Sequence, residues 1–253
     1  MSYVSRSSWK RRSGSRTGYT KKADSGIRGF AFFIILLFIA FQILTSMFIT
    51  SYRQESIAME PTVPSGALLL ASPLIYGAEI PFTNIKLPEI RKPKRGDLVV
   101  CTPAFHPDSA WYEKGLNSIV RFFTLQRKSF GSADYNWLHS RMLKRVIGLP
   151  GDTIKMVNFE ILIKPQDKQY FFSEHEIIQT AYEISSYSVP DSLPEEFPLS
   201  GNMREITLKD DEFFVMGDNR SMSNDSYYWG PISIEHMKAR AILEYFPDII
   251  LLQ

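Results

Sequence analysis

Cysteine is close to absent. The 253-residue chain has one, Cys101, which excludes an intramolecular disulfide and a cysteine-based metal cluster within one chain, but leaves the redox compartment open. Histidine is sparse too. His106, His139, His175 and His236 lie far apart without metal-ligand spacing, so no metal is implied. Phosphate loops, dinucleotide fingerprints, heptad runs and internal repeats are also missing, and no cofactor is implied. Net positive charge is confined to one end. Residues 1–28 carry eight basic side chains and one acid, Asp24, for +7; the whole chain is +2, which leaves −5 on the rest. A mildly acidic body argues against a broad nucleic-acid surface. Aromatics at 13% are too frequent for a disordered chain.

Charge vanishes between Gly29 and Thr50, 22 residues with few polar side chains beyond Gln42, Thr45 and Ser46. As a helix this stretch spans roughly 30 Å of hydrocarbon and predicts a transmembrane anchor. A cleaved signal peptide would have a shorter apolar core followed by a small-x-small site. The basic flank predicts that residues 1–28 form a cytoplasmic tail, placed also to touch anionic lipid, and that residues 51–253 lie beyond the membrane.

That outer region is broken by proline and glycine into short apolar runs. Ala67–Ala71, Asp97–Thr102, Met142–Gly148, Thr153–Val157, Glu160–Ile163 and Glu212–Met216 have strand length and β-branched content. The turn formers at 150–152 and 217–219 complete the reading as a mainly β, antiparallel domain. Gly115–Ser129 places Leu116, Ile119, Val120 and Phe123 at helical spacing, with Arg127 and Lys128 near its end. It predicts a short amphipathic helix, set either on the β domain or on the membrane surface. Residues 164–210, rich in Ser, Glu and Tyr, predict an outer lobe. Trp111, Trp137 and Trp229 read as packing or interfacial residues rather than a ligand cage.

Four clusters carry the chemistry: Ser56-Ile57-Ala58-Met59-Glu60-Pro61-Thr62-Val63; Lys94-Arg95-Gly96-Asp97; Lys144-Arg145-Val146-Ile147-Gly148-Leu149-Pro150-Gly151-Asp152; and Met216-Gly217-Asp218-Asn219-Arg220, continuing through Ser223, Asp225 and Ser226 to Gly230. Their order, spacing and position beyond one apolar span resemble the bacterial type I signal peptidases, over residues 29 to about 247. The resemblance implies a signal-peptidase-like antiparallel β fold and a Ser/Lys-dyad serine endopeptidase that removes signal peptides from translocated preproteins at the bacterial cytoplasmic membrane. It implies Lys144 as general base, Ser223 as the hydroxyl that orients it, and Ser56 as an oxyanion-hole donor beside the backbone N–H at the nucleophile position. Met59, Val63 and Leu143 become candidate pocket walls for small substrate side chains, or ordinary core; Asp218 and Arg145 become structural support. A lysine can act as base near neutral pH only if burial lowers its pKa, and Met142, Leu143, Val146 and Ile147 are placed to supply an apolar wall.

The departure is at the nucleophile. The family pattern Ser-x-Ser-Met-x-Pro-Thr is here Ser56-Ile57-Ala58-Met59-Glu60-Pro61-Thr62, with a methyl where the reaction needs an oxygen. Ser56, two residues away, would in a strand sit about 7 Å along on the same face, too far to substitute. Cleavage is therefore expected to be absent or very slow, since losing such a nucleophile costs on the order of 10⁶ in kcat, while binding of an extended signal peptide need not be lost. Two origins fit Ala58: an engineered knock-out, favoured by intact Lys144, Ser56 and Ser223, or a natural pseudopeptidase, favoured by further departures at Ala67, Ser221, Met222 and Tyr227. The competing function is a non-catalytic signal-peptide binder or scaffold for an active paralogue. Self-cleaving repressors with a related Ser/Lys site are disfavoured by the anchor and the lack of a DNA-binding segment.

Overall fold

The computed structural model describes residues 20–81, 85–104, 111–126, 141–178, 181–187 and 200–252. Most of the basic segment, together with His106, His139, Trp137, Arg127, Lys128 and residues 188–199 of the expected lobe, lies outside the described residues. The chain forms two compact units, Met1–Ala40 and Phe41–Gln253.

Helix α1 (Thr20–Ile43) begins nine residues before the expected anchor. Lys21, Lys22 and Ala23 favour helix, so the basic segment runs into the span without a break. Phe30, Phe32, Phe33 and Ile35 are more than half exposed, as a lipid-facing helix requires. Gly26–Phe48 is, among the described residues, the one stretch long and apolar enough to cross a membrane. It closes in a π-helical turn, Leu44–Phe48, where Ser46 Oγ donates to the Gln42 carbonyl at 2.7 Å. Such back-bonding loosens a helix end. Thr50, read as the anchor's last residue, instead opens strand β1 (Thr50–Arg53).

The domain continues with β2 (Leu68–Ser72), β3 (Leu98–Cys101), α2 (Trp111–Phe123), β4 (Met142–Gly148), β5 (Thr153–Val157), β6 (Glu160–Lys164), β7 (Phe172–Ser173), α3 (Glu174–Ile177), β8 (Met203–Thr207), β9 (Glu212–Met216), α4 (Ser226–Trp229), β10 (Ile232–Ser233), β11 (Met237–Phe246) and β12 (Ile250–Leu251). The described strands make two sheets. The larger runs β1-β2-β11-β3-β4-β9-β10, with β12 paired to β11; the smaller runs β7-β6-β5-β8. The pairings are antiparallel, as a mainly β antiparallel fold predicts. The smaller sheet includes β5 and β6, which lie largely before residue 164.

Alternation along the strands distributes side chains between cores. On β3, Leu98 and Val100 enter one cluster with Leu69, Leu143 and Ala239; Val99 and Cys101 enter another with Val146, Val215 and Met237. On β9, Phe213 and Val215 join that second cluster, while Phe214 and Met216 face the outer-lobe core of Ile154, Ile161 and Ile163. Gly148 marks the join. A Cβ there would meet Ile154 Cδ1 at 2.2 Å and Phe214 Cβ at 2.9 Å, so only glycine lets β4 pass this close.

Candidate active site

Lys144 lies mid-strand on β4, directly opposite Val99 of β3. Paired residues in an antiparallel ladder share a face, so the lysine side chain emerges on the apolar side that holds Val99, Cys101 and Val146. It is 2% exposed. Of the wall expected from its neighbours, Val146 shares this face, while Leu143 and Ile147 join the other two cores. Burial is the main cause that lowers the Lys144 pKa below the ordinary lysine range, opposed by Asp225, Cys101 and Asp218. Lys144 Nζ donates to Ser223 Oγ at 2.7 Å.

Ala58 reaches the same place through backbone. Its carbonyl accepts from Asn219 N–H at 3.0 Å. A Cβ at Gly217 would stand 2.3 Å from Ser223 Oγ and 2.4 Å from the Ala58 carbonyl oxygen. Gly217 is thus the point against which the lysine's hydroxyl partner and the Ala58 backbone both close. In the sequence it stands in the fourth cluster and its turn, without this role. Gly217 N–H donates to Asp225 Oδ2 at 3.0 Å, and Val215 N–H donates to Ser226 Oγ at 3.0 Å. The turn carrying Ser223 is therefore pinned to β9.

The Ser56–Ala58 run differs from the extended geometry expected of it. Ser56 caps a 3-10 turn, Ile57–Met59, and its Oγ accepts from Ala58 N–H at 3.5 Å. Proline at 61 and the turn formers after it favour a reversal here over a strand. Gln54, buried and unremarked in the sequence, donates through Nε2 to Ser56 O at 2.8 Å and to Ser56 Oγ at 3.2 Å. The two candidate oxyanion donors, Ser56 Oγ and Ala58 N–H, are adjacent. Met59, Val63 and Leu143 are at most 1% exposed and share one core cluster. The nearby Cys101 is fully buried, and burial pushes its thiol up to about 12, which keeps it a neutral thiol and a poor nucleophile.

Arg145, next to Lys144, points to a second layer. It donates to both Asp218 oxygens, at 2.8 and 2.7 Å, and to the Gly96 carbonyl at 3.0 Å. The Tyr182 ring lies 3.8 Å from its guanidinium. Tyr182 O–H donates to Glu174, and Glu174 also accepts from Arg220 at 2.5 Å. Glu174 and Tyr182 come from segments with no motif, and only their fold position marks them. The second and third sequence clusters prove to be linked: Arg95 pairs with Asp152, and Asp97 accepts from Arg91, Arg240, Tyr76 and Lys94 N–H.

The departures from the family pattern have local roles. Ala67 is fully buried in the first core, where an unpartnered carboxylate would be costly. Ser221 Oγ accepts from Tyr187 N–H at 2.7 Å, and Tyr227 O–H donates to the Asn202 carbonyl at 3.2 Å. Met222 is about half exposed, and nothing in the structure explains it. Residues 185–187 run beside the site: Ser185 N–H donates to the Asp218 carbonyl at 2.9 Å, and Arg220 N–H to the Ser185 carbonyl at 2.7 Å. Residues 183–186, together with Glu60, Pro61 and Asn219, line an open cavity of about 490 Å³. Among the described residues, no group of three or more His, Cys, Asp or Glu is arranged to hold a metal ion.

The chain is similar in sequence to known proteins. The probable signal peptidase I-2 of Synechocystis sp. is 27% identical over 76% of this chain and 61% of its own length. The signal peptidase I of Pseudomonas aeruginosa is 26% identical over 79% of this chain and 62% of its own length. The chain thus spans about three fifths of the length of these relatives. A solved signal peptidase I from Enterococcus faecalis V583 is matched over 60% of this chain and 98% of that one, at 18% identity and a TM-score of 0.30. The family model described as signal peptidase, peptidase S26 covers residues 27–246, and so takes in Lys144, Ser223 and Ala58: the chain belongs to the signal peptidase S26 family.

Proposed function

We propose that this protein is a membrane-anchored signal-peptidase scaffold that binds signal peptides of translocated preproteins, with cleavage absent or very slow because Ala58 occupies the nucleophile position. The observation that carries the reading is the buried Lys144 held 2.7 Å from Ser223, with the Ala58 carbonyl and Ser223 converging on Gly217.

In the serine form of this site, the hydroxyl at 58 attacks the scissile carbonyl carbon and neutral Lys144 takes its proton. The developing oxyanion receives hydrogen bonds from the N–H of residue 58 and from Ser56 O–H. The C–N bond then breaks, the lysine ammonium passes its proton to the leaving amine, and an ester remains on residue 58. Water, deprotonated by Lys144, hydrolyses that ester. Ala58 removes the first step and with it the sequence that follows. Binding depends on other groups: backbone pairing to an extended peptide, and shallow pockets floored by Met59, Val63 and Leu143. Asp218 and Arg145 act as structural support. The apolar span is read as a single-pass anchor in a bacterial cytoplasmic membrane, with the basic N-terminal segment in the cytoplasm and the β domain outside.

The alanine itself favours a second form of the reading, a pseudopeptidase that captures signal peptides or scaffolds an active paralogue. Titrating the reconstituted protein with a fluorescent signal peptide tests it. Saturable binding without cleavage is expected; no binding to either the parent or its Ala58→Ser variant would overturn the substrate assignment.

A further inference from the structure

Helix α2 carries its apolar stripe on the wrong side for a protein in water. Tyr112, Leu116, Ile119 and Phe123 follow the i, i+4, i+7, i+11 spacing of one helix face, and they are 53, 42, 47 and 74% exposed. The opposite side holds the helix to the domain. Arg121 donates to Thr50 Oγ1 at 2.8 Å and to Gln126 Oε1 at 2.7 Å, and the Phe122 ring meets Phe41 edge-on at 5.3 Å. After the helix, Leu125 and Gln126 adopt left-handed φ of 49° and 64°. This turn aims Gln126 back, so that its Oε1 accepts from Thr50 Oγ1 at 3.0 Å and Ser51 N–H at 2.9 Å. Leu125, on the same turn, is 72% exposed.

These anchor points fix the level of α2. Phe41 lies in the last third of the membrane-length stretch Gly26–Phe48, and Thr50 and Ser51 follow directly after it. An apolar stripe tied to the end of a membrane span, with its polar contacts turned inward, is matched to the boundary between acyl chains and head groups, where a water-exposed stripe would otherwise cost apolar transfer energy. We propose that α2 is an interfacial helix. It lies on the outer leaflet with Leu116, Ile119 and Phe123 in the acyl boundary. The occupant of the stripe is the bilayer, not a second protein.

This inference rests on the membrane-anchor reading, and the test separates the two. The full chain is reconstituted in 3:1 phosphatidylcholine/phosphatidylglycerol vesicles with an environment-sensitive fluorophore on Ile119→Cys, Phe123→Cys, Leu36→Cys in the span, or Tyr170→Cys on the outer lobe. Cys101 is fully buried, so labelling is confined to the new thiol, with the unsubstituted chain as blank. Labels at 119 and 123 are expected to be quenched by lipids spin-labelled near the head group, at 36 by lipids labelled deep in the chain, and at 170 by neither. Quenching at 36 with water-exposed labels at 119 and 123 overturns the interfacial helix and leaves the anchor standing. Labels at 119 and 123 that are shielded from water, untouched by lipid quenchers and sensitive to protein density would assign the stripe to a second copy, and also overturn the proposal. An unquenched label at 36 removes the anchor and the inference together.

Discussion

Lys144 Nζ and Ser223 Oγ stand 2.7 Å apart across 79 residues of sequence. The contact joins β4 to the turn after β9, and it gives a buried amine a polar partner that carries no charge. A carboxylate there would hold the lysine protonated; a hydroxyl fixes its direction while burial still favours the neutral amine. Removing the hydroxyl tests that role. In an Ala58→Ser background, Ser223→Ala is expected to lower kcat on the order of 10² with little change in KM, and Ser223→Thr to restore part of it. Equal losses in kcat and folding stability would mark Ser223 as merely structural.

The lowered Lys144 pKa has a sign that two measurements can read. The amine must be neutral to accept the serine proton, so cleavage by Ala58→Ser should rise with pH along a limb well below the ordinary lysine value of about 10.4. In stability the unfolded chain binds a proton that the folded chain has lost, between the lowered pKa and about 10.4, so folding stability rises with pH across that window and is reduced below it. Lys144→Met is therefore expected to stabilise the protein at neutral pH and to flatten this dependence. Chemical denaturation at several pH values checks both.

Asp218 and Glu174 are buried counter-charges to Arg145 and Arg220. Arg220 Nε and Nη1 have no hydrogen-bond partner among the described residues, so Glu174 carries most of its neutralisation. Asp218→Asn or Glu174→Gln should each destabilise the domain by about 3–5 kcal/mol, the cost of stranding a buried charge. Thermal unfolding measures it, and a change within about 0.5 kcal/mol would contradict the role.

Gly217→Ala inserts a methyl where Ser223 Oγ and the Ala58 carbonyl already converge. Overpacking of this kind costs about 1–3 kcal/mol. In the Ala58→Ser background it is expected to abolish measurable cleavage while the domain stays folded.

Much of this architecture was legible in short apolar runs. Met142–Gly148, Thr153–Val157 and Glu212–Met216 are strands over those very residues, because each is apolar enough to be buried on at least one face. The longest strand, β11, was not legible. Lys238, Arg240 and Glu244 interrupt its apolar pattern, and bulges at Ala241/Leu243 and Glu244/Phe246 shift its register. The start of β1 was hidden at the end of the apolar span, which was read through Thr50, since nothing in composition separates the end of a membrane helix from a β-branched strand start. At the site, the family resemblance pointed to Lys144, Ser223 and Ser56, but Gln54, Glu174 and Tyr182 act through contacts between distant segments that no local pattern encodes. The turn at Ser56 was also missed, because two-residue spacing reads as a strand until the cap is seen.

The central claim is that one oxygen separates this site from a working Ser/Lys peptidase. It is tested most directly by incubating a preprotein with the reconstituted parent, with Ala58→Ser, and with Ala58→Ser/Lys144→Ala. The account predicts an inert parent, cleavage by Ala58→Ser, and loss of that cleavage when Lys144 is removed. Cleavage by the parent itself, abolished by Lys144→Ala, would contradict it and make Ser56 the nucleophile.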